Sequence, residues 1–464
     1  MLHLQTRPNF HTLLDAVTLQ TADERPALIY IEIDVEPLMI SRAAFKEAAE
    51  QYAAALEALG IKVGDLVIIA HTQNLESIYA FWGCLLLGAI PSMFPTLTEK
   101  LDPTIYRQHM AELVRLSDVR AIFTTADFAP TLATAVTCPI FTPPQLNQAH
   151  SKIQNPKSKM SLNAPLRPQN PESIAFLQHS SGTTGLQKGV ALSHTAVLNQ
   201  LASYTEAVGL TSEDVIVSWL PLYHDMGLIA GFLLPLLQGI PLVLMSPFDW
   251  VRHPALLFKA ISQFEGTLCW LPNFAYNHCG RRIRQRDLEG ITLRSMRAFI
   301  NCSEPVRADS HQLFVNKFAA LGVTPEMLTV SYAMAENTFA VTQTPIGRAP
   351  TLDQVDLEQL NINRTAQPAT AETSQAAVHV SCGRPIYGTQ VKVIDDTGQE
   401  LTERQVGELL VQSNCMLSEY YKRPDLEPFT EGWYKTGDMG YIADGEVYIV
   451  GRRKDLIINA GKNV

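Results

Sequence analysis

Short apolar runs alternate with longer helical stretches along the first third of the chain. The stretch RAAFKEAAEQYAAALEAL follows Ser41 and precedes Gly60, which predicts a helix with a serine N-cap and a glycine stop. The runs DLVIIAH, AIPSMFP and VRAIFTT predict strands, and LESIYAFWGCLLLG and YRQHMAELVRLSD predict the helices between them. Strands that alternate with helices in this way form mostly parallel sheets covered on both faces. The pattern therefore predicts an α/β fold.

The same alternation resumes after a polar segment, Pro143 to Pro171, in the strands SIAFLQ, DVIVSWLP and PLVLM. A second interruption, Thr344 to Ala377, is poor in apolar residues and predicts a mobile loop. Beyond it, TQVKVIDDTGQ, GELLVQS and DGEVYIVG predict a smaller β-rich subdomain. The predicted units are a first α/β subdomain at 1–171, a second at 172–343, an insertion-like loop at 344–380, the β-rich subdomain at 381–450 and a terminal segment at 451–464.

One apolar stretch approaches the length of a membrane span. Residues Met226 to Met245 carry no charge, and a bilayer requires about 20 apolar residues. Prolines and polar residues break this stretch into two parts, at Pro235, Gln238, Gly239 and Pro241. We therefore expect a buried helix followed by a core strand, and no membrane span.

Composition narrows the class of protein. Hydrophobic residues make up 46% and charged residues 18% of the 464 residues, as in soluble globular proteins. A net charge of -10 argues against a nucleic-acid surface, because phosphate backbones are bound by dense Lys and Arg patches. The seven cysteines include no CxxC pair, which disfavours structural zinc and a disulfide framework. The start of the chain lacks the basic segment and apolar core of a signal peptide, so we expect a cytoplasmic protein.

The segment HSSGTTGLQKGV, at 179–190, is rich in Ser, Thr and Gly around one lysine, Lys188. Such a loop after a strand exposes backbone N–H groups and hydroxyls that can surround phosphate oxygens, and the lysine adds charge. The Walker pattern GxxxxGK[ST] is absent, which disfavours a P-loop NTPase. For the loop alone, a polar surface turn remains an alternative.

Three further motifs follow in order: SYAMAE at 331–336, YKTGD at 434–438 and GRRKDLIINAGKN at 451–463. Together with the loop they resemble the signature of the adenylate-forming superfamily, which includes acyl-CoA synthetases, luciferases and the adenylation domains of peptide synthetases. The resemblance implies a large N-terminal domain of mostly parallel sheets flanked by helices, plus a smaller β-rich subdomain. It also implies a reaction in which a carboxylate attacks the α-phosphorus of ATP, giving an acyl adenylate and pyrophosphate.

The resemblance assigns roles to individual residues. Tyr332 would stack on adenine, Glu336 would bind Mg²⁺, Asp438 would accept hydrogen bonds from the ribose hydroxyls, and Arg452 would reach the ribose or a phosphate. Gln187 stands where the family commonly has proline, but Lys188 is kept. The residues expected to bind ATP or AMP are Ser180, Ser181, Gly182, Thr183, Thr184, Gly185, Lys188, Ser303, Glu304, Pro305, Ser331, Tyr332, Ala333, Met334, Asp438 and Arg452.

Four more segments resemble fatty acyl-AMP ligases, which pass the acyl group to an acyl carrier protein instead of coenzyme A. They are SWLPLYHDMGLIAGFLLPL, LPNFAYNHCGRRI, NCSEPVR and VSCGRPIYG. The resemblance implies that His224 lies near the substrate carboxylate and acts in catalysis with Lys188. It implies an acyl pocket formed by His224, Asp225, Gly231, Asn273, Phe274 and Ala275. An exposed His224 beside an Asp225 helix cap is the alternative.

Fatty acyl-AMP ligases share an insertion after the magnesium glutamate that is associated with exclusion of coenzyme A. Thr344 to Ala377 occupies that place, although a plain surface loop remains an alternative. The superfamily also has a mobile C-terminal domain with a catalytic lysine, whereas this sequence ends just after Lys454, the residue that matches the hinge. We therefore expect the mobile domain to be absent, and the chain to bind ATP and acyl adenylate but to adenylate poorly.

Two other functions stay open from the sequence: an acyl-CoA synthetase and a non-catalytic adenylate-binding module. The acid is also open, because Asp225 lies near the position where amino-acid-activating relatives place an aspartate. A dinucleotide oxidoreductase is disfavoured, since no GxGxxG opens a βαβ unit.

Overall fold

The computed structural model describes residues 10–19, 23–97, 102–153, 170–179 and 188–453, with the short strands at 458–459 and 462–463. Its α-helices are α1 Leu14–Leu19, α2 Arg42–Ala58, α3 Leu75–Leu87, α4 Pro103–Ser117, α5 Ala129–Ala133, α6 Pro143–Ile153, α7 His194–Ala207, α8 Leu234–Gln238, α9 Pro247–Arg252, α10 Ala255–Phe264, α11 Asn273–Arg282, α12 Ala308–Phe318 and α13 Leu357–Asn363. A π-helical segment spans Met226–Leu233, and short 3-10 turns span Gln285–Leu288, Ala319–Leu321, Pro325–Met327 and Ala335–Asn337.

The strands of the first two-thirds of the chain are β1 Pro26–Ile31, β2 Leu38–Ser41, β3 Leu66–Ala70, β4 Ile90–Met93, β5 Ala121–Thr124, β6 Ile140–Phe141, β7 Ile174–His179, β8 Gly189–Ser193, β9 Ile216–Ser218, β10 Leu242–Met245, β11 Leu268–Leu271 and β12 Ala298–Asn301. The later strands are β13 Leu328–Ala333, β14 Ala340–Gln343, β15 Leu352–Asp356, β16 Ala376–Val380, β17 Arg384–Pro385, β18 Thr389–Ile394, β19 Gly407–Ser413, β20 Glu419–Tyr420, β21 Phe429–Thr430, β22 Trp433–Ala443, β23 Glu446–Arg452, β24 Ile458–Asn459 and β25 Lys462–Asn463.

Two large sheets form the body of the protein. A nine-stranded sheet has the order β17-β14-β13-β12-β11-β9-β10-β1-β2, and a seven-stranded sheet has the order β20-β8-β7-β4-β3-β5-β6. The central strands of both sheets are parallel, and the antiparallel pairs lie toward the edges. Strands β3, β4 and β5 are buried along their whole length, as expected for parallel strands covered on both faces. The predicted α/β class is confirmed.

A third, wholly antiparallel sheet forms the β-rich subdomain. It has the order β18-β19-β22-β21, and β23 pairs with the other side of β22. Strands β18, β19 and β23 come from the three segments whose short alternation predicts them, whereas β21 and β22 lie between those segments and were not predicted. The predicted β-rich subdomain is confirmed.

The predicted helix after Ser41 illustrates why local signals work here. The Ser41 side chain accepts a hydrogen bond from the Ala44 N–H, which satisfies one of the free donors of the first turn of α2. The helix ends at Ala58, and Gly60 follows with a φ of 90°. Both ends of α2 were therefore specified by residues next to it in the chain.

The sheets do not follow the expected boundary at residue 171. Strands β1 and β2 join the nine-stranded sheet, whereas β7 and β8, beyond the boundary, join the seven-stranded sheet. The polar segment Pro143 to Pro171 also begins with a helix, α6, which the prediction missed. Its Leu146 is 1% exposed, and this side chain attaches the largely polar helix to the core.

The segment Thr344 to Ala377 is an ordered unit and not the mobile loop that its composition suggests. Strands β15 and β16 pair in antiparallel register, and α13 lies between them. Val355 and Leu360 pack with Tyr441 of the β-rich subdomain. The Tyr441 hydroxyl also donates to the Asp353 carboxylate at 2.8 Å. The prediction of a loop was wrong because the segment is held by contacts with the β-rich subdomain, and the composition of the segment does not reveal those contacts.

The uncharged stretch from Met226 to Met245 is broken as expected. It forms the π-helical segment, helix α8 and strand β10, all of them buried. In the part of the chain that the structure describes, no helix combines the length and apolar character that a membrane crossing requires.

Gly227 lies in the π-helical segment, where its backbone closely approaches the backbone of Leu220 and Pro221. A Cβ atom there would lie far inside van der Waals distance of the Pro221 carbonyl oxygen. This close approach lets the segment pack against the loop that follows β9. A side chain at this position would push that loop away.

We expect Gly227→Ala to lower the free energy of unfolding by about 1–3 kcal/mol, because the added methyl group overpacks a backbone contact. The measurement is the urea-unfolding midpoint. Gly451→Ala serves as the control, since a Cβ at Gly451 would meet nothing within 4 Å. An unchanged midpoint for Gly227→Ala would contradict this account of the packing.

Candidate active site

A cavity of about 390 Å³ lies where loops from both large sheets meet. Its lining includes residues that follow the carboxyl ends of β3, β4, β9, β10, β11 and β12. Parallel strands place these ends at one edge of a sheet, so residues distant in sequence gather there. The lining residues used below are Thr72, Gln73, Phe94, Thr96, Trp219, Tyr223, His224, Phe248, Val251, Phe274, Ser303 and Glu304.

Aromatic side chains form one wall of this cavity. The Trp219 ring stacks on the buried Trp250 ring with 3.6 Å between centroids, and Phe274 contacts both edge-on at 6.1 Å. The wall is therefore rigid and apolar. A pocket of this kind suits an acyl chain, with the few polar groups at its ends fixing orientation.

His224 lies at the edge of the cavity, as expected. Its backbone N–H donates to the Pro221 carbonyl, and its carbonyl accepts from Leu228 at the start of the π-helical segment. The side chain is open to the cavity, yet the surrounding protein lowers the pKa of the imidazole through burial. His224 is thus expected to be neutral at pH 7 and able to donate one hydrogen bond from its ring.

Asp225 caps the π-helical segment rather than lining the cavity. One carboxylate oxygen accepts from the Met226 N–H at 2.7 Å. Burial raises the pKa of Asp225 to about 6, and the nearby charge of Glu336 adds to this shift. Of the two residues expected in the acyl pocket, His224 lines the cavity, whereas Asp225 acts as a cap and is not among the lining residues.

Of the other expected acyl-pocket residues, Phe274 alone contributes to the described cavity wall. Ala275 is fully buried, and a Cβ at Gly231 would lie 2.6 Å from the Ser218 Oγ. Asn273 is buried in a hydrogen-bond network, where its Oδ1 accepts from Arg307 N at 3.1 Å. Ala275 and Asn273 therefore lie behind the wall, and the absence of a side chain at Gly231 leaves room for the Ser218 hydroxyl.

Ser303, Glu304 and Pro305 form an exposed turn after β12. Ser303 has a φ of 68°, which is rare and strained for a residue with a side chain. The Glu304 Oε2 accepts from the Phe274 N–H at 2.9 Å, so this turn is fixed to the first turn of α11. The expected nucleotide turn and the acyl wall are therefore held together directly.

Tyr332, Asp438 and Arg452 meet, as expected for a nucleoside site. The Tyr332 hydroxyl donates to Asp438 Oδ2 at 2.6 Å, and the Arg452 Nε donates to Asp438 Oδ1 at 3.1 Å. Burial raises the pKa of Asp438, although Tyr332 and Arg452 favour its charged form. One carboxylate thus joins the nine-stranded sheet to the β-rich subdomain.

Asp438 lies within strand β22, at an irregularity of the strand. Strand β22 continues through it, and the register with β19 shifts between Glu408 and Leu410. Gly437 has a φ of 72°, which permits this bulge. The Thr436 hydroxyl donates to the Leu409 carbonyl at 2.8 Å and accepts from Asp438 N at 3.0 Å.

The neighbours of Tyr332 in β13 point in different directions. The Ser331 hydroxyl is buried and donates to the Thr342 carbonyl at 2.8 Å, so it serves the sheet. Ala333 and Met334 are partly exposed at the end of the strand, next to Glu336. Alternation along a strand places Ser331 on the face opposite Tyr332.

Lys188 and Glu336 are brought to the same tyrosine. The Lys188 ammonium lies 4.6 Å from the centroid of the Tyr420 ring, and the Tyr420 hydroxyl donates to Glu336 Oε1 at 3.1 Å. Since that hydroxyl has one proton, the Tyr434 hydroxyl donates to it in turn, at 2.9 Å. A cation and a carboxylate therefore face one region, separated by an aromatic ring.

The turn after β13 also ties the two large sheets together. The Gln178 amide, at the end of β7, donates to the Thr338 carbonyl at 3.2 Å. The Thr338 hydroxyl donates to the Cys415 carbonyl at 2.6 Å, and the Leu417 N–H donates to the Glu336 carbonyl at 2.8 Å. The position of Glu336 is thus fixed from three directions.

Several expected site residues lie outside the described residues. They are Ser180, Ser181, Gly182, Thr183, Thr184 and Gly185 of the Ser/Thr/Gly loop, and Lys454 of the terminal segment. Of the described residues on either side, His179 ends β7 and Lys188 directly precedes β8.

Sequence reasoning missed Tyr420, which contacts both Lys188 and Glu336. It also missed the cavity residues Thr72, Gln73, Phe94 and Thr96. A signal for these four was available, because they directly follow apolar strands that are predicted to be parallel. Nothing near Tyr420 in the sequence indicates its partners.

The arrangement offers a suitable place for a nucleotide with its metal. Within the residues that the structure describes, no group of three or more His, Cys, Asp or Glu could form a metal cage. Mg²⁺ seldom uses such a cage, since it binds one or two carboxylates together with substrate phosphates. Glu336, close to Lys188, fits that donor set.

Comparison with known proteins places this site in a family. The family model described as "AMP-binding enzyme" matches residues 15–421. The medium-chain-fatty-acid–[acyl-carrier-protein] ligase JamA of Moorena producens is 30% identical, over 99% of this chain and 79% of the relative. The long-chain-fatty-acid–AMP ligase FadD32 of Mycolicibacterium smegmatis is 30% identical, over 93% of this chain and 71% of the relative.

Solved structures agree with these matches. A fatty acid AMP ligase from Legionella pneumophila has a TM-score of 0.86 at 29% identity, covering 97% of this chain and 78% of that chain. A fatty acyl-adenylate ligase from L. pneumophila, in complex with acyl adenylate and pyrophosphate, has a TM-score of 0.85 at 30% identity with the same coverage. The chain therefore belongs to the AMP-binding enzyme family, the adenylate-forming enzymes that its motifs indicate.

Proposed function

We propose that this protein activates a fatty acid with ATP, forming an acyl adenylate and pyrophosphate, for transfer to an acyl carrier protein. The observation that carries the proposal is that the wall of the apolar cavity is fixed to the turn expected to bind the nucleotide. Phe274 of the cavity wall and Glu304 of the expected nucleotide turn share a hydrogen bond of 2.9 Å. An acyl chain and an adenylate could therefore lie end to end.

In the proposed reaction a carboxylate oxygen of the acid attacks the α-phosphorus. The bond from that phosphorus to the bridging oxygen breaks, and pyrophosphate leaves with the electron pair. Two anions must approach each other, so the site has to neutralise charge and hold them in line. Neutral His224, which lines the cavity, would hydrogen-bond the substrate carboxylate, and Lys188 would stabilise phosphate charge.

ATP with Mg²⁺ is the proposed nucleotide substrate. Bound Mg²⁺ would draw negative charge from the phosphate oxygens. Glu336 would hold the ion, and the hydrogen bond from Tyr420 would orient the Glu336 carboxylate. Asp438 would accept hydrogen bonds from the ribose hydroxyls, and Arg452 lies beside Asp438.

The cavity wall favours a fatty acid over an amino acid. An amino-acid substrate would need a carboxylate facing its ammonium group, and Asp225 is the candidate. The Asp225 carboxylate instead accepts from Met226 N, and Asp225 is not among the described residues that line the cavity. Its raised pKa of about 6 also weakens it as a partner for a cation.

A carrier protein is the proposed acceptor. JamA is similar to this chain over 99% of this chain, and the name of JamA gives an acyl carrier protein as its acceptor. The unit from 344 to 380 stands where fatty acyl-AMP ligases have their insertion, and Arg404 fixes it through an ion pair to Asp353 at 3.0 Å. A rigidly attached insertion is suited to restricting how an acceptor approaches.

The proposed function predicts that this chain catalyses ATP–pyrophosphate exchange with fatty acids faster than with aryl or amino acids. Glu336→Gln should lower exchange by about tenfold or more and raise the Mg²⁺ concentration required, because the amide keeps the shape but loses the charge. Glu419→Gln, at an exposed glutamate next to Tyr420, is the matched control.

The acceptor is tested in the same assay series. Acyl transfer to a phosphopantetheinylated carrier, with little transfer to coenzyme A, is the expected result. Equal transfer to coenzyme A would establish an acyl-CoA synthetase instead. Tight binding of an acyl adenylate analogue with no exchange for any acid would establish a binding module, and exchange with amino acids alone would refute the fatty-acid assignment.

Asp438→Ala should weaken binding of a non-hydrolysable acyl adenylate by about 10- to 100-fold, because hydrogen bonds to a charged group are lost. Isothermal titration calorimetry measures the change. Tyr332→Phe is the control: it removes the hydroxyl bonded to Asp438 but keeps the ring, and should weaken binding about threefold at most. Equal affinities for wild type and Asp438→Ala would mean that Asp438 does not contact the nucleotide.

Asp225→Asn should stabilise the protein at pH 7. Burial raises the folded-state pKa of Asp225 to about 6, above the usual value of an aspartate, so folding favours the protonated form. The charged form costs about 1–3 kcal/mol at pH 7, and most of this penalty is lost as the pH falls from about 6 to about 4, because the folded state is then protonated and the unfolded state begins to be. Urea unfolding at pH 7 and pH 4 measures the difference, and a gain of equal size at both values would contradict the account.

A further inference from the structure

Three large apolar side chains on the outer side of the cavity are unusually exposed. Phe248 and Val251 of α9 are 45% and 49% exposed, and Phe274 of α11 is 45% exposed. All three also line the cavity. The apolar wall therefore continues from the inside of the cavity to the protein surface, where water would otherwise cover it.

Helical spacing puts these side chains on one continuous face. On α9, Phe248, Val251 and Arg252 are three and four residues apart, whereas Trp250 points inward and is fully buried. On α11, Phe274 and Arg281 are seven residues apart, so they share one stripe of the helix. We call the surface formed by Phe248, Val251, Arg252, Phe274, His278 and Arg281 the α9–α11 face.

Direct contacts join the two helices. The His278 imidazole hydrogen-bonds to the Val251 carbonyl at 3.1 Å, and its ring lies 5.2 Å from the Trp250 ring. The residue after Val251 is Arg252, and Arg281 lies one turn beyond His278. Arg252 and Arg281 thus each lie within one helical turn of the contact that joins the two helices.

The arginines give this face a charge opposite to that of the whole protein. Arg252, Arg281 and the adjacent Arg282 are exposed, and in the described part of the chain none of them forms an ion pair. The protein as a whole carries a net charge of -10. The carboxylate of the nearby Glu304 accepts a hydrogen bond from the Phe274 N–H. Exposed aromatic and aliphatic residues beside arginines are typical of surfaces that bind anionic lipid.

We propose that the α9–α11 face docks on an anionic lipid bilayer and that the fatty acid enters the cavity there. This rests on the proposed function for the identity of the substrate. Fatty acids partition into bilayers, and the exposed apolar side chains lead without interruption into the acyl cavity. An acidic protein would be attracted by the same arginines, but it would give no reason for the apolar surface to continue into the cavity.

Vesicle co-sedimentation without ATP or fatty acid tests the docking. The chain should bind phosphatidylcholine vesicles that contain phosphatidylglycerol, and bind pure phosphatidylcholine vesicles much more weakly. Arg252→Gln with Arg281→Gln should lower the partition coefficient on the order of tenfold or more. Phe248→Ser with Val251→Ser should lower it as well, because insertion of apolar groups is lost.

The control variant also loses two positive charges, as the double arginine variant does, but at positions outside the α9–α11 face. Lys62→Gln with Arg115→Gln removes two exposed cations far along the chain from α9 and α11, and should bind vesicles as the wild type does. The double arginine variant should keep wild-type exchange with a fatty acid supplied below its micellar concentration. Circular dichroism checks that each variant is folded.

The outcomes separate this inference from the proposed function. Normal exchange with dissolved fatty acid but no binding to anionic vesicles would overturn the docking and leave the adenylation proposal intact. Vesicle binding that the control pair reduces as much as the arginine pair would also overturn it. So would displacement from vesicles by an acidic carrier protein that protects Arg252 and Arg281, since that would assign the face to the carrier.

Discussion

The site depends on the short turn from Glu336 to Thr338, where three parts of the fold are tied together. Gln178 reaches it from the seven-stranded sheet, and Cys415 and Leu417 reach it from the segment that leads to β20. The turn itself ends β13 of the nine-stranded sheet. These are short, mostly buried hydrogen bonds, so breaking one leaves an unsatisfied polar group. The cation at Lys188 can face the carboxylate of Glu336 only while all three parts stay in place.

The acyl cavity depends on the same joining of units. Its aromatic wall is packed by the stack of Trp219 on Trp250, and its loops are held by close contacts such as that between Gly227 and Pro221. Strain is present where the ligand is expected, since Ser303 keeps a left-handed conformation at the turn beside the cavity. A rigid frame around a strained turn is typical of sites that are arranged before the ligand arrives.

The motifs that indicate the family are local in the sequence. The order of the loop at 179–190 and the motifs around Tyr332, Asp438 and Arg452 identified the family, and the structure brings Tyr332 to Asp438 and Arg452, and both Lys188 and Glu336 to Tyr420. The roles of other residues could not be predicted from the sequence. Asn273, Phe274 and Ala275 are consecutive, yet their side chains leave α11 in different directions. Asn273 joins a hydrogen-bond network, Phe274 lines the cavity and Ala275 is buried in the core.

The sequence by itself determined the elements and the chemistry of the motifs, because caps, turns and apolar periodicity act over a few residues. Ser41 and Gly60 set the ends of α2 without help from the rest of the chain. Tertiary structure alone decided which sheet each strand joined, since β1 pairs with β10 more than 200 positions later. Tertiary contacts also order the polar segment from Thr344 to Ala377, and they bring Tyr420 into contact with both Lys188 and Glu336. Those results arise from contacts between surfaces that are distant in sequence, and such contacts exist only once the chain has folded.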